Sequence, residues 1–139
     1  RCRQNTLQYV SKEGGFVYCS DSYSDDLPYW EKKGNKKQLI IPYTLDNNDM
    51  RFATNQGFNS GEQFYTYLKD SFDTLYEESL DGHPRVVALA MHTYLSGSPH
   101  RIAYVRETFE TLLSKPGVVC WDGVQILDWF SKQVPAPKS

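Results

Sequence analysis

A chain of 139 residues has room for one domain with a real hydrophobic core, and not for two of ordinary size. With 40% hydrophobic residues, 23% charged residues and a net charge of −2, it reads as a soluble globular protein. The densest basic run is KKGNKK at 32–37, too slight for a nucleic-acid groove, and no apolar run approaches the ~20 residues that cross a bilayer.

In chain order, Asn5 is placed to cap a first helix that stops at Gly14-Gly15. FVYC (16–19) reads as a strand, and QLIIPY (38–43) as a second. Pro42 is awkward inside a central strand, and a bulge near the strand's end is expected. Ser60 followed by Gln63 is a capping box, and Phe64, Tyr67, Leu68, Phe72 and Leu75 then fall on one helical face. RVVALAM (85–91) has the doubly apolar pattern of a strand covered on both sides. Ser98-Pro99 opens a helix expected to bury Ile102, Val105, Phe109, Leu112 and Leu113, and Lys115-Pro116-Gly117 closes it. VVCW (118–121) reads as a fourth strand. Asp122 with Gln125 caps a last helix carrying Val124, Leu127, Trp129 and Phe130. Residues 133–139 form a tail.

Helices alternating with apolar strands predict an α/β protein with a mostly parallel sheet covered by helices. No signal peptide opens the sequence. The three cysteines, Cys2, Cys19 and Cys120, have no CxxC or zinc-like spacing, so a reducing, cytoplasmic setting is expected and all three read as structural.

Parallel α/β sheets and barrels bind ligands beyond the carboxyl ends of their strands. The segments in that position are SDSYSDDLPYW, TLDNNDM, HTYLSGS and Asp122. Asp46 and His92 each follow an apolar run. If their strands are neighbours, the carboxylate can accept from one ring nitrogen and leave the other to handle a proton. The alternative is that His92 merely ends a strand and Asp46 to Asp49 form an Asx-turn. His83 sits in a turn, and His100 in the first turn of a helix where solvation is expected. Tyr18, Tyr23, Tyr29 and Trp30 either line a pocket or pack, with packing expected for at least half of them. The chain has no pair of histidines at metal-ligand spacing, no phosphate loop and no GxSxG.

The segments GGFVYCSDSYSDDLPYW, LIIPYTLDNNDMRFATNQGFNSGEQFYTYLKDSFDTLYEE and ALAMHTYLSGSPHR together resemble the polysaccharide deacetylase superfamily. The likeness is to the branch of metal-independent allantoinases and chitin-deacetylase-like proteins, and it spans roughly residues 1–132. It implies the C-terminal half of a distorted (β/α)7-type barrel, within a NodB homology catalytic domain that hydrolyses non-peptide amide bonds. It also implies that Arg1 anchors a catalytic aspartate, that Asp46, in the Asp-x-x-Asp pattern ending at Asp49, orients His92, and that His92 protonates the leaving nitrogen. Asp49, Met50, Tyr23 and Trp30 are the substrate-pocket candidates.

Two departures from the family pattern bear on the substrate. The catalytic aspartate and the Asp-His-His metal triad of the family precede the motif matched by Arg1. No cofactor is therefore expected in this chain, and a zinc ion enters only if the missing N-terminal half carries the triad. Met50 stands where the polysaccharide enzymes carry Trp, which favours a small cyclic ureide such as allantoin over an N-acetylated saccharide. In the other direction, TYLSGS replaces a segment in which the allantoinase branch carries Cys and two Arg. The expected partners are the substrate, the other half of the barrel, and further copies of the chain. The alternatives are a metal-dependent chitin deacetylase, and an inactive fragment or binding subunit.

Overall fold

The structure, a computed structural model, describes residues 5–33 and 36–137. The chain forms two compact units, one from Arg1–Tyr43 with Trp121–Ser139 and the other from Thr44–Cys120.

In the first unit, α1 (Thr6–Glu13) leads into a three-stranded sheet of β1 (Tyr18–Cys19), β2 (Tyr29–Lys33) and β3 (Lys36–Ile40). β3 lies in the middle, parallel to β1 and antiparallel to β2. The described sheet is therefore small and mixed, where the sequence suggested mostly parallel strands. The difference lies in residues 29–33, whose aromatic start had read as pocket or packing. They form a hairpin strand in which Trp30 faces Leu39 across the ladder. Leu39, Ile40 and Ile41 are buried in succession, so both faces are covered at this end of the middle strand.

The same ladder explains Pro42. Ile41 N–H donates to the Cys19 carbonyl at 2.9 Å and Tyr43 N–H to the Ser22 carbonyl at 2.9 Å, both on the β1 side. Pairing with β2 ends at Tyr29 opposite Ile40, so the position that lacks an N–H is one where no donor is needed. Three residues on the β1 side span two on the β3 side there, the local irregularity that a proline at a strand end tolerates.

α5 (Gly123–Gln133) closes this unit and begins in a reciprocal cap. Asp122 Oδ1 accepts from Gln125 N–H at 2.8 Å, and Asp122 N–H donates to Gln125 Oε1 at 2.9 Å. None of its residues is fully buried. Residues 118–121, read as a strand, pair with no strand among the described residues, and Val118 N–H instead closes a turn onto Lys115.

The second unit contains a 3₁₀ turn at Asp49–Ala53, then α2 (Gly61–Ser79), the single-turn α3 (Thr93–Ser96) and α4 (Pro99–Leu113). Ser60 caps α2 as its sequence requires, its side chain accepting from Gln63 N–H at 3.2 Å. Phe64, Leu68 and Phe72 are buried and Tyr67 and Leu75 half-buried, the stripe that the 3.6-residue period dictates. Gly61 lets α4 come close, since a Cβ there would lie 2.2 Å from the Tyr104 ring.

On α4 the buried stripe is rotated from the expected one. Thr108 and Leu112 are buried, while Ile102 is 41% and Leu113 46% exposed. Burying Thr108 costs little because its hydroxyl donates to the Tyr104 carbonyl at 2.7 Å, one turn back. Phe52, Phe58, Phe64 and Tyr67 make an aromatic core, with Phe58 and Phe64 edge-to-face at 5.6 Å.

Residues 85–91, expected to be a strand, make a single parallel bridge, Asn48 with Ala90. That bridge determines the geometry of the site.

Candidate functional site

Two hydrogen bonds flank the bridge. Ala90 N–H donates to the Asn47 carbonyl and Asp49 N–H to the Ala90 carbonyl, each at 3.0 Å. Asn47 and Asn48 are buried, and the Asn48 side chain accepts from Met50 N–H at 2.8 Å, capping the 3₁₀ turn. The Asn48 amide thus caps the turn, while the backbone of Asn47 and Asp49 holds the register. With residues 48 and 90 paired, Asp49 stands beside His92.

The carboxylate that meets His92 is accordingly Asp49, not Asp46. Asp49 Oδ1 lies 2.7 Å from His92 Nδ1, and Oδ2 accepts from His92 N–H at 2.7 Å and from the Ser96 hydroxyl at 2.6 Å. Asp46 is exposed in the turn before the bridge, three residues short of position 49, which the register brings to the ring. The Asp-x-x-Asp spacing offered two acids, and only the ladder distinguishes them.

Asp49 has no exposed surface, and burial alone would raise its pKa. The Ser96 hydroxyl, the His92 backbone N–H and the His92 ring outweigh that and hold the carboxyl below its ordinary range. An ionised carboxylate only accepts hydrogen bonds, so the proton between the pair sits on Nδ1. Nε2 is then the ring's free nitrogen, an acceptor in the neutral ring and a donor in the imidazolium. The His92 side chain is 37% exposed, so this nitrogen belongs to a group that water or a ligand can reach.

Two of the pocket candidates, Asp49 and Met50, belong to this site. Tyr94 stands edge-on to the His92 ring at 5.6 Å, and its hydroxyl donates to Met50 Sδ at 3.4 Å. Met50, His92 and Tyr94 thus form an exposed lip. Behind it, Arg101 lies over the Phe52 ring at 4.1 Å and donates to the Leu95 carbonyl at 3.3 Å, tying α3 to the aromatic core. Arg51 covers the same core, 4.6 Å from the Tyr67 ring centre.

Tyr23 and Trp30 belong to the first unit. There Tyr23 packs edge-on against Tyr43 at 5.7 Å, and the Trp30 indole donates to the Val134 carbonyl at 2.8 Å. Arg1 lies outside the described residues. His83 and His100 are both exposed. Ser96 and Tyr94 had no signal of their own in the sequence. Only their place two and four residues after His92 could have pointed to them.

Among the described residues, no three His, Cys, Asp or Glu side chains are grouped so as to hold a metal ion. These residues do not by themselves make a zinc triad. No helix among them is long and apolar enough to cross a membrane.

A half-buried histidine on a buried carboxylate is an arrangement that can hold and release a proton. Homologues of the chain are polysaccharide deacetylases and an allantoinase. A Schizosaccharomyces pombe protein named "Putative polysaccharide deacetylase" is 41% identical over 125 residues, which is 84% of this chain and 39% of the relative. The crystal structure of Puue allantoinase superposes with a TM-score of 0.93 at 42% identity, over 99% of this chain and 46% of its own. A Pseudomonas aeruginosa structure named "probable Polysaccharide deacetylase" gives 0.90 at 43% identity, over 96% of this chain and 45% of its own. The chain thus spans less than half the length of these relatives and corresponds to the C-terminal portion. No family model matches.

Proposed function

We propose that the protein of which these residues are part hydrolyses a carbon–nitrogen bond, with His92 as the general acid and Asp49 as the residue that orients it. The observation that supports this is the 2.7 Å contact between His92 Nδ1 and the buried Asp49 carboxylate, on a ring that stays partly exposed. Water attacks the amide carbonyl, with a carboxylate outside the described residues as its base. As the C–N bond of the tetrahedral intermediate breaks, the imidazolium gives its Nε2 proton to the departing nitrogen, and Asp49 stabilises the charged ring until then. Arg1 anchors the base in this reading, as the family resemblance implies. The other half of a (β/α)7-type barrel supplies the base and pairs with the extended segments 85–89 and 118–121.

The favoured substrate is a small cyclic ureide of the allantoin kind. It is supported by the likeness to Puue allantoinase and by Met50 on the lip, where a sugar-stacking enzyme of the family would present an indole. A second reading, a metal-dependent saccharide deacetylase, is favoured by the names of the yeast and Pseudomonas relatives.

The test uses the full-length protein with allantoin and with N-acetylglucosamine oligomers, each with and without EDTA. Allantoin turnover that resists EDTA and falls about 100-fold or more in His92→Ala is the expected result, in line with general-acid contributions elsewhere. Undiminished kcat/KM in His92→Ala sinks the assignment. EDTA-sensitive release of acetate from the oligomers brings the second reading forward.

A further inference from the structure

Serine and threonine hydroxyls inside helices commonly turn back to the carbonyl one turn earlier. Ser71 does so to Tyr67 at 2.9 Å, Thr74 to Asp70 at 3.0 Å and Thr108 to Tyr104 at 2.7 Å. Ser96 is also helical, and its own N–H donates to the His92 carbonyl at 3.0 Å. Its hydroxyl leaves that default and donates instead to Asp49 Oδ2 at 2.6 Å, the shorter of the two bonds on that oxygen. Ser96 is only 4% exposed, so water does not readily substitute for the serine there.

We infer that Ser96 is a positioning residue, whose hydroxyl fixes Asp49 so that Oδ1 alone faces the His92 ring. The geometry explains how. His92 is the N-cap of the single-turn α3 and Ser96 its last residue, so that one turn brings the backbone N–H of the first and the hydroxyl of the second to the same carboxylate. Both hold Oδ2, one through its backbone N–H and the other through its hydroxyl. Two donors on one carboxylate oxygen leave no freedom to rotate about the Cβ–Cγ bond without breaking a charge-assisted bond. Oδ1 is then left for Nδ1, which fixes both the tautomer and the direction of Nε2. Because Arg101 holds the Leu95 carbonyl, the turn that carries Ser96 is itself tied to the aromatic core.

The consequence for turnover rests on the proposed role of His92, while the hydrogen-bonding role of Ser96 does not. The experiment reads the two separately in the full-length protein, for wild type, Ser96→Ala, Ser96→Thr and Ser96→Cys. Carbon-13 NMR follows the Asp49 carboxyl through its titration, and low-field proton NMR follows the Nδ1 proton between Asp49 and His92. In Ser96→Ala the Asp49 midpoint should move upward and the Nδ1 proton signal should broaden or shift. Ser96→Thr should return both towards wild type. If the alanine variant does not fold, the threonine and cysteine pair carries the comparison, with cysteine, a weak donor, displaced upward from threonine.

A folded Ser96→Ala or Ser96→Cys whose Asp49 carboxyl titrates as in wild type would overturn the inference. In turnover, Ser96→Ala should lose roughly tenfold or more in kcat with KM little changed, as when the partners that orient a histidine are removed. An upward-shifted Asp49 with undiminished kcat would leave Ser96's grip standing and refute the role given to His92.

Discussion

Asp49→Asn changes one charge and almost no volume, so it isolates what the carboxylate contributes. The amide oxygen can take the place of Oδ2 and still accept from His92 N–H and Ser96, while the amide nitrogen then faces Nδ1. A donor there forces Nδ1 to accept, which moves the ring proton to Nε2. Three charge-assisted hydrogen bonds become neutral ones. Bonds to charged groups are worth about 1 kcal/mol more than neutral ones, so the gross loss is about 3 kcal/mol. Relief from burying a charge returns part of that, leaving about 2–3 kcal/mol.

For a chain of this size, that loss lowers Tm by about 10 °C at neutral pH. Asp46→Asn is the control. Its side chain is exposed, and a change within about 0.5 kcal/mol is expected.

Acid supplies the second half of the test. The native Asp49 pKa lies below its unfolded value, so the carboxylate's stabilisation is fully present above the unfolded pKa of about 3.9 and is lost as pH falls through the native one. The gap between wild type and Asp49→Asn should therefore be present above the unfolded pKa and close as pH falls through the native one. Thermal melts followed by circular dichroism at several pH values measure it. Asp49→Asn melting with Asp46→Asn at neutral pH, or a gap that does not close in strong acid, would refute the role given to the carboxylate.

Two further outcomes concern the scaffold. In Gly57→Ala the new Cβ would sit 1.6 Å from the Arg51 carbonyl oxygen, which accepts Phe58 N–H at 3.0 Å. The backbone must move under the aromatic core, and a loss of about 1–3 kcal/mol in urea unfolding is expected. Asp122→Ala removes the acceptor that the Asp122 side chain offers to Gln125 N–H in the α5 cap and should cost about 1 kcal/mol, seen as faster amide exchange in the first turn of that helix.

Helix ends were written locally in the sequence. Asn5 before α1, Ser60 with Gln63, Ser98-Pro99 and Asp122 with Gln125 all mark observed starts, through a side-chain cap bond at Ser60 and Asp122 and without one at Asn5 and Ser98. The central strand was legible too, since burial on both faces leaves an unbroken apolar run in Leu39–Ile41. Strands 85–91 and 118–121 were not secured by the same pattern. A ladder needs a neighbouring chain segment, and apolar residues state only that they prefer cover.

The site divides in the same way. That a histidine after an apolar run would meet a carboxylate from the 46–49 segment could be read from residue types and the position of the runs. Which carboxylate it would be could not. Asp46 and Asp49 are chemically equal on paper, and the choice between them depends on a bridge between residues forty-two positions apart. Register across that distance is set by packing, and by the backbone bonds that the buried Asn47 and Asp49 make with Ala90. Ser96 was hidden for the same reason, because a hydroxyl one turn along a short helix acquires its meaning only from the oxygen placed opposite it.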